Sequence, residues 1–248
     1  MAADGGPDAR PLPAERRADP RTAIVFDTLA GALDQPGRTV VDIGGGTGGS
    51  AVRLAASGHH VTVVDPSPDA LASLDRRVRE AGVGSRLTAH QGDVADLVSL
   101  VPEAGADLVL CHGVLEVLDD PAAALDAIVS RLRPGGRLSL VAGQRNALVV
   151  ARAMAGQFVA ARELLDDSAA HGRTGRRFTE AELLDLVGAA GLEVESVHGV
   201  RVFADLVPGS LVDAEPGSAA ALVELERAVA ARAEFRPLAT QLHLLARR

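Results

Sequence analysis

Between residues 22 and 142, short apolar segments alternate five times with amphipathic ones, and this alternation limits the fold more than any other feature of the chain. The apolar segments are Thr39–Asp42, HHVTVVD (His59–Asp65), Arg86–His90, ADLVLCHG (Ala106–Gly113) and Arg137–Ala142. They are short and rich in Val and Leu, which predicts strands buried on both faces. Helices are expected between them: Thr22–Leu33, Gly49–Ala56 stopped by Ser57-Gly58, PSPDALASLDRRVREAG with Leu71, Leu74 and Val78 at core spacing and Gly82 as its stop, and Pro121–Leu132 closing in RPGG. Strands joined by such helices pair in parallel through right-handed crossovers. Their C-terminal ends therefore share one edge, where ligands bind.

The second half extends this plan. Ala147–Asp166 reads as helical and HGRTGRRF (His171–Phe178) as a basic loop, and Thr179 with Glu182 makes a capping box for the helix that Gly191 ends. LEVESVHGVRVF and ATQLHLLARR read as strands flanking a helix at Ala219–Ala233. The expected fold is α/β, a doubly wound and mostly parallel seven-stranded sheet with a helical cap inserted at about 145–178. Residues 21–248 show no linker and no internal repeat, so one domain is expected. Residues 1–20, rich in Pro, Asp and Arg, are expected to form a mobile tail. They hold no apolar core of a secretory signal.

Composition narrows the function. A single cysteine, Cys111, excludes a disulfide within the chain and a cysteine zinc cage, and suits a cytoplasmic protein. No apolar run approaches the ~20 residues of a membrane span, and no His/Asp/Glu spacing suggests a metal site. Net charge is −8, with no Trp, no Tyr and 5 Phe. That argues against a broad nucleic-acid surface or base stacking on aromatic platforms.

The stretch VVDIGGGTGGS (Val40–Ser50) follows the first strand. Gly44, Gly46 and Gly49 fit the G-x-G-x-x-G of dinucleotide binding; Gly44, Gly46 and Gly48 fit a D-x-G-x-G-x-G loop. Asp42 discriminates between them. A carboxylate repels a pyrophosphate placed at this helix N-terminus, but attracts the ammonium and sulfonium of S-adenosylmethionine. Asp65, ending the second strand, can accept from both ribose hydroxyls, a device either cofactor would use. Asp93 in QGDV can accept from an adenine amino group while the Val94 N–H serves a ring nitrogen, and Asp93 also suits a helix N-cap.

Taken together, VVDIGGGTGGS, VTVVDPS, QGDV, LVLCHGVLEVLDDP and LRPGGRLSL resemble the successive motifs of the class I S-adenosylmethionine-dependent methyltransferases, over about 35–145. A narrower likeness, in CHGVLEVLDDP, RLSLVAGQRNALVVARAMAGQF, HGVRVFADL and the C-terminal segment, is to the family that esterifies tRNA 5-carboxymethoxyuridine at the wobble position. The resemblance implies S-adenosylmethionine as cofactor, with Arg21, Pro66, Cys111 and His112 joining the binding residues above. It also implies a carboxylate acceptor. A carboxylate needs no deprotonation at neutral pH but does need a cation. Arg145 and Arg201 are the candidates, because arginine holds carboxylates bidentately. His112, with Glu116 nearby, lies where an acceptor is expected, and for a hydroxyl or amine acceptor His112 is the first candidate base. Arg173, Arg176 and Arg177 in the basic loop could meet phosphates. Three functions remain open: methylation of a tRNA carboxylate, methylation of a small-molecule carboxylate or hydroxyl, and non-catalytic binding of the cofactor by a regulatory protein. Asp42, Asp65 and Asp93 together count against the third.

Overall fold

The structure, a computed structural model, describes residues 22–166, 171–172, 175–212 and 216–248. Arg21 and Arg173 lie outside the described residues, as does the N-terminal tail expectation.

The alternation folds as anticipated. Helix α1 (Ala23–Ala32) precedes β1 (Thr39–Ile43), α2 (Gly49–Ala56), β2 (His60–Asp65), α3 (Pro68–Ala81) and β3 (Leu87–Gln91). A 3₁₀ turn at Val94–Asp96 leads into α4 (Leu97–Leu100), then β4 (Ala106–His112), α5 (Pro121–Arg131) and β5 (Leu132–Gly143). Next come α6 (Arg145–Met154), α7 (Phe158–Asp166), the two-residue strands β6 (His171–Gly172) and β7 (Gly175–Arg176), and α8 (Glu180–Ala189). β8 (Glu193–Val200), α9 (Gly209–Val212), α10 (Ser218–Ala230) and β9 (Gln241–Arg247) complete the chain. Seven strands form one sheet in the order β3-β2-β1-β4-β5-β9-β8, with only β9 antiparallel to its neighbours. Because β9 reverses between β5 and β8, the end of β8 returns to the edge that carries the ends of β1, β2, β4 and β5.

Side chains alternate between two buried faces. Val41, Ile43, Val109, Cys111, Leu138 and Leu140 meet Leu97, Leu125, Ile128 and Leu183 on one side. Val40, Val61, Val63, Leu108, Leu110 and Leu245 meet Ile24, Leu29, Leu54 and Leu74 on the other. Burial on both faces is why the strands read as continuous apolar runs rather than as alternating ones.

Several boundaries shift by a few residues, and two differences go further. RPGG belongs to β5 rather than to the end of α5, because this stretch is held to the chain terminus: the Gly135 N–H donates to the Arg248 carbonyl at 2.9 Å, and the Arg248 N–H donates to the Gly136 carbonyl at 2.9 Å. The single helix expected over Ala147–Asp166 is two. Gly156 takes φ 73°, a left-handed conformation that ends α6 and lets α7 start afresh.

Helix α2 begins from Gly48 at φ 79°, and a Cβ there would lie 2.1 Å from Leu74 Cδ1. Gly48→Ala combines left-handed strain with overpacking against a fully buried leucine. It is expected to cost about 2–4 kcal/mol in urea denaturation. An unchanged midpoint would mean that the loop relaxes without loss.

Candidate functional site

The ends of β1, β2 and β4 lie side by side at one edge of the sheet, where the glycine loop follows β1 and any ligand crevice of this fold would lie. Asp42, in β1, is 3% exposed, and burial, followed by the neighbouring Asp65, raises its carboxyl to about 7; no hydrogen-bond donor contributes. Among the described residues no hydrogen-bond donor or cation pairs with it, and burial keeps this carboxyl close to the neutral form. A cation brought beside it would restore the charged form. Glycine is required at the loop for space as well: a Cβ on Gly44 would lie 2.6 Å from Val114 Cγ2.

Asp65 ends β2 and is 6% exposed. Its Oδ2 accepts from the Gly46 N–H at 2.7 Å and its Oδ1 from the Ser67 N–H at 2.9 Å. The carboxylate thus ties the glycine loop to the start of α3. A carboxylate offers about four acceptor positions, so each oxygen keeps one for a hydroxyl. The sequence suggested a ribose acceptor here but gave no sign of this structural tie. Pro66, beside it, is exposed, and its carbonyl accepts from Gln91 Nε2 at 3.3 Å.

Asp93 is exposed and caps the turn at Val94–Asp96, accepting from the Ala95 N–H at 2.7 Å while Asp96 accepts from the Asp93 N–H at 3.0 Å. The N-cap role is therefore filled, with Asp93 Oδ2 left over. The Val94 side chain is buried.

Cys111 is fully buried with its side chain packed in the core shared with α5, and burial pushes its thiol to about 12. The sequence reading of Cys111 as a buried strand residue agrees with this, and any part it takes in cofactor binding falls to its backbone. His112, the last residue of β4, is half-buried, and burial lowers its imidazole to about 4. Its Nε2 lies 2.8 Å from Ser139 Oγ. A ring held on one side by Ser139 and so weakly basic is poorly suited to the general-base role the sequence suggested for a hydroxyl or amine acceptor.

The two candidate arginines are both engaged. Arg145, 5% exposed at the start of α6, is ion-paired with Glu182 of the α8 capping box, and the Arg145 N–H donates to the Phe178 carbonyl at 2.9 Å. It fastens α6 to α8 instead of presenting a free guanidinium. Arg201, just past β8, is ion-paired with Asp205 and sits at φ 62°, a left-handed position for a residue with a side chain. Thr240 Oγ1 donates to Asp205 Oδ2 at 2.8 Å, and Gln144 Nε2 donates to the carbonyls of Arg236 at 2.6 Å and Ala239 at 2.8 Å. These contacts stiffen the edge where β5, β8 and β9 meet.

Glu116 emerges as a central residue. It is 5% exposed, its Oε1 accepts from the Gly143 N–H at 2.8 Å, and its Oε2 is buried without a partner. Burial raises its carboxyl above the usual range, an effect that the Gly143 N–H, the Glu116 N–H and then Arg177 oppose. The short strand β7 lies directly on it: a Cβ on Gly175 would be 2.2 Å from the Glu116 carbonyl oxygen, and one on Gly143 would be 2.5 Å from the Arg177 guanidinium. The basic loop therefore reaches the crevice edge through Arg177. Among the described residues, no group of three His, Cys, Asp or Glu could hold a metal ion, and no helix is long and apolar enough to cross a membrane.

One consequence is measurable. A cation docking on Asp42 requires its carboxylate, so binding below pH 7 releases a proton. Affinity for S-adenosylhomocysteine is expected to fall as pH drops below about 7, by at most ~10-fold per unit, and to level off above it. Calorimetry between pH 5 and pH 8 reads this directly. A flat profile would remove Asp42 from the ammonium's surroundings.

Comparison with known proteins bears on the crevice. A methyltransferase domain family matches residues 41–138. The chain is 33% identical over 141 residues to the tRNA 5-carboxymethoxyuridine methyltransferase of Escherichia coli (strain K12), covering 56% of this chain and only 54%, about half, of that relative. It is 32% identical over 180 residues to the ubiquinone biosynthesis O-methyltransferase of Xylella fastidiosa (strain 9a5c), covering 72% of this chain and 70% of the relative. The crystal structure of magnesium protoporphyrin IX methyltransferase from Synechocystis PCC 6803 with bound S-adenosylhomocysteine superimposes with a TM-score of 0.60 at 18% identity, covering 91% and 82% of the two chains. That last likeness concerns the fold.

Proposed function

Given that the chain belongs to the class I S-adenosylmethionine-dependent methyltransferases, we propose that it transfers the methyl group to a carboxylate oxygen, with the wobble 5-carboxymethoxyuridine of tRNA as the first candidate acceptor. The observation that carries the reading is the unpartnered, desolvated carboxylate of Asp42 beneath the glycine loop. It suits a cationic ligand and opposes a pyrophosphate. S-adenosylmethionine, held there, supplies an activated methyl group on a sulfonium.

The residues of this chain then have positional tasks. Asp42 faces the methionine ammonium, Asp65 the ribose hydroxyls, and Asp93 with the Val94 N–H the adenine. The acceptor enters at the ends of β4 and β5, beneath the β6–β7 segment of the cap. Arg177 brings positive charge to that edge beside Glu116. In-line displacement at a sulfonium carbon needs alignment and exclusion of water more than acid–base help, so a carboxylate acceptor places no demand on His112 as a base. The tRNA candidate rests on the 33% identical relative, the small-molecule alternative on the 32% identical O-methyltransferase. The alternative also draws support from the net charge of −8.

Transfer of labelled methyl into bulk tRNA, compared with a pool of small carboxylic acids, tests the reading. A methyl ester releases its label as methanol in alkali, whereas an ether or amine retains it. Alkali-labile label in tRNA supports the first candidate, and alkali-labile label only in small acids supports the second. Alkali-stable label would refute the carboxylate acceptor.

A further inference from the structure

On the face of the sheet opposite α5, four polar side chains lie on four neighbouring strands. His112 of β4 has Nε2 2.8 Å from Ser139 Oγ of β5, and the same Oγ lies 2.8 Å from Nε2 of His243 in β9. His198 of β8 stacks on His243 with ring centroids 6.1 Å apart and planes 24° apart. The register aligns the row, since Val141 pairs with both His112 and His243, and His243 pairs with His198. Ser139 and His243 are fully buried. A strand core carries such a polar row at a cost unless its members are mutually satisfied.

The proton count fixes its direction. Burial lowers both rings, His112 to about 4 and His243 to about 3, so both are neutral at physiological pH. Each ring then has one N–H and one bare nitrogen, and the serine has one proton to give. Were His112 to donate from Nε2, Ser139 would donate to His243 Nε2. The His243 proton would then sit on Nδ1, which is buried without a partner. A sealed N–H with no acceptor is the rarer and costlier defect than a sealed lone pair. The favoured arrangement is the reverse. His243 Nε2–H donates to Ser139, Ser139 donates to His112 Nε2, and His112 carries its proton on Nδ1. That nitrogen is not among the buried unpartnered atoms, and its ring is half-buried at the strand end.

We propose that Ser139 and His243 are positioning residues that fix His112 as an Nδ1–H donor facing the acceptor, so that the site selects an oxygen that is already anionic. A donor nitrogen can hold a carboxylate oxygen, but it cannot take the proton of a hydroxyl. The acceptor preference, though not the tautomer, rests on the methyl-transfer reading above.

Nitrogen NMR on protein with heavy-nitrogen-labelled histidines tests the inference, the His112 signals being assigned by their loss in His112→Asn. The expected result is a protonated-type Nδ1 and a bare-type Nε2 for His112 at neutral pH, retained in Ser139→Thr and lost to a mixture in Ser139→Ala. A protonated Nε2 on His112 in the unaltered protein, or an unchanged pattern in Ser139→Ala, would overturn it. Should Ser139→Ala not fold, the unaltered protein's spectrum decides alone. With an acceptor in hand, His112→Asn, which keeps a donor near Nδ1, should hold the acceptor KM, whereas His112→Gln should raise it about tenfold. Equal losses in both would count against the donor role. Absence of any methyl transfer would refute the function without touching the tautomer.

Discussion

Asp42→Asn is expected to stabilise the ligand-free protein while weakening its hold on S-adenosylmethionine. The stabilisation follows from linkage. In the folded state the carboxyl titrates at about 7, against a reference value of 3.8, because burial and Asp65 disfavour its charge. The folded protein therefore holds this proton more tightly than the unfolded chain. Stability falls as pH rises from about 4 to about 7 and stays lowered above that. At ~1.4 kcal/mol per pKa unit, the full cost above pH 7 is at most about 4 kcal/mol. An isosteric neutral amide removes it. The expected gain is about 2–4 kcal/mol at pH 8 and close to zero at pH 4, measured as the difference between variant and unaltered protein in urea denaturation. The affinity loss has the same origin: the amide cannot attract the ammonium, and losing a charge-assisted contact in a desolvated crevice should cost about 2–3 kcal/mol, or ~30- to 160-fold in Kd. A variant stabilised at pH 8 with unchanged affinity would sever the carboxylate from the cofactor, and one that is not stabilised would show that Asp42 is better solvated than its burial suggests.

Asp42 also marks the limit of what the sequence discloses. Its charge and its place before the glycines are visible in the chain, and electrostatics alone then favour a cation over a pyrophosphate. The parallel strands are equally visible, because burial on both faces leaves near-continuous apolar runs such as VTVVD and ADLVL. Side-chain commitments made over long separations are not visible. Arg145 reads as a free cation because Glu182, 37 positions on, comes into reach only once α6 meets α8; Arg201 and Asp205 are close in sequence, but pair only because the chain turns after β8, where the sequence suggests a continuing strand. His112 reads as a base because Ser139 and His243, the residues that occupy its Nε2 side, stand on strands brought alongside by the sheet order. The break at Gly156 was open to reading, since a glycine late in a helical stretch is a common stop.

Glu226 left a legible signal of its own: a carboxylate in the apolar stripe of α10, between Val223 and Val229. It is fully buried, with Oε2 accepting from the Val202 N–H at 2.9 Å and Oε1 from the Phe203 and Ala204 N–H groups, each at 2.8 Å. The chain there has just left β8 through Arg201 in its left-handed conformation, so these N–H groups have no strand partner and depend on the carboxylate. Glu226→Ala would orphan three donors at about 1–3 kcal/mol each if they stayed dry. Water entering the vacated space offsets part of this, and the expected net loss is about 3–5 kcal/mol in urea or thermal denaturation. Glu226→Gln keeps one acceptor oxygen and should lose roughly half as much, because its amide nitrogen faces donors it cannot accept from. The loss should extend to the crevice edge. Without the grip on residues 202–204, the strained Arg201 backbone relaxes, and its carbonyl contact with Thr240 should weaken. Hydrogen exchange at the Thr240 N–H, which donates to the Arg201 carbonyl at 3.3 Å, is therefore expected to speed up in Glu226→Gln even where global stability suffices to keep it folded. Protection at Thr240 equal to that of the unaltered protein would confine Glu226 to a local anchoring role.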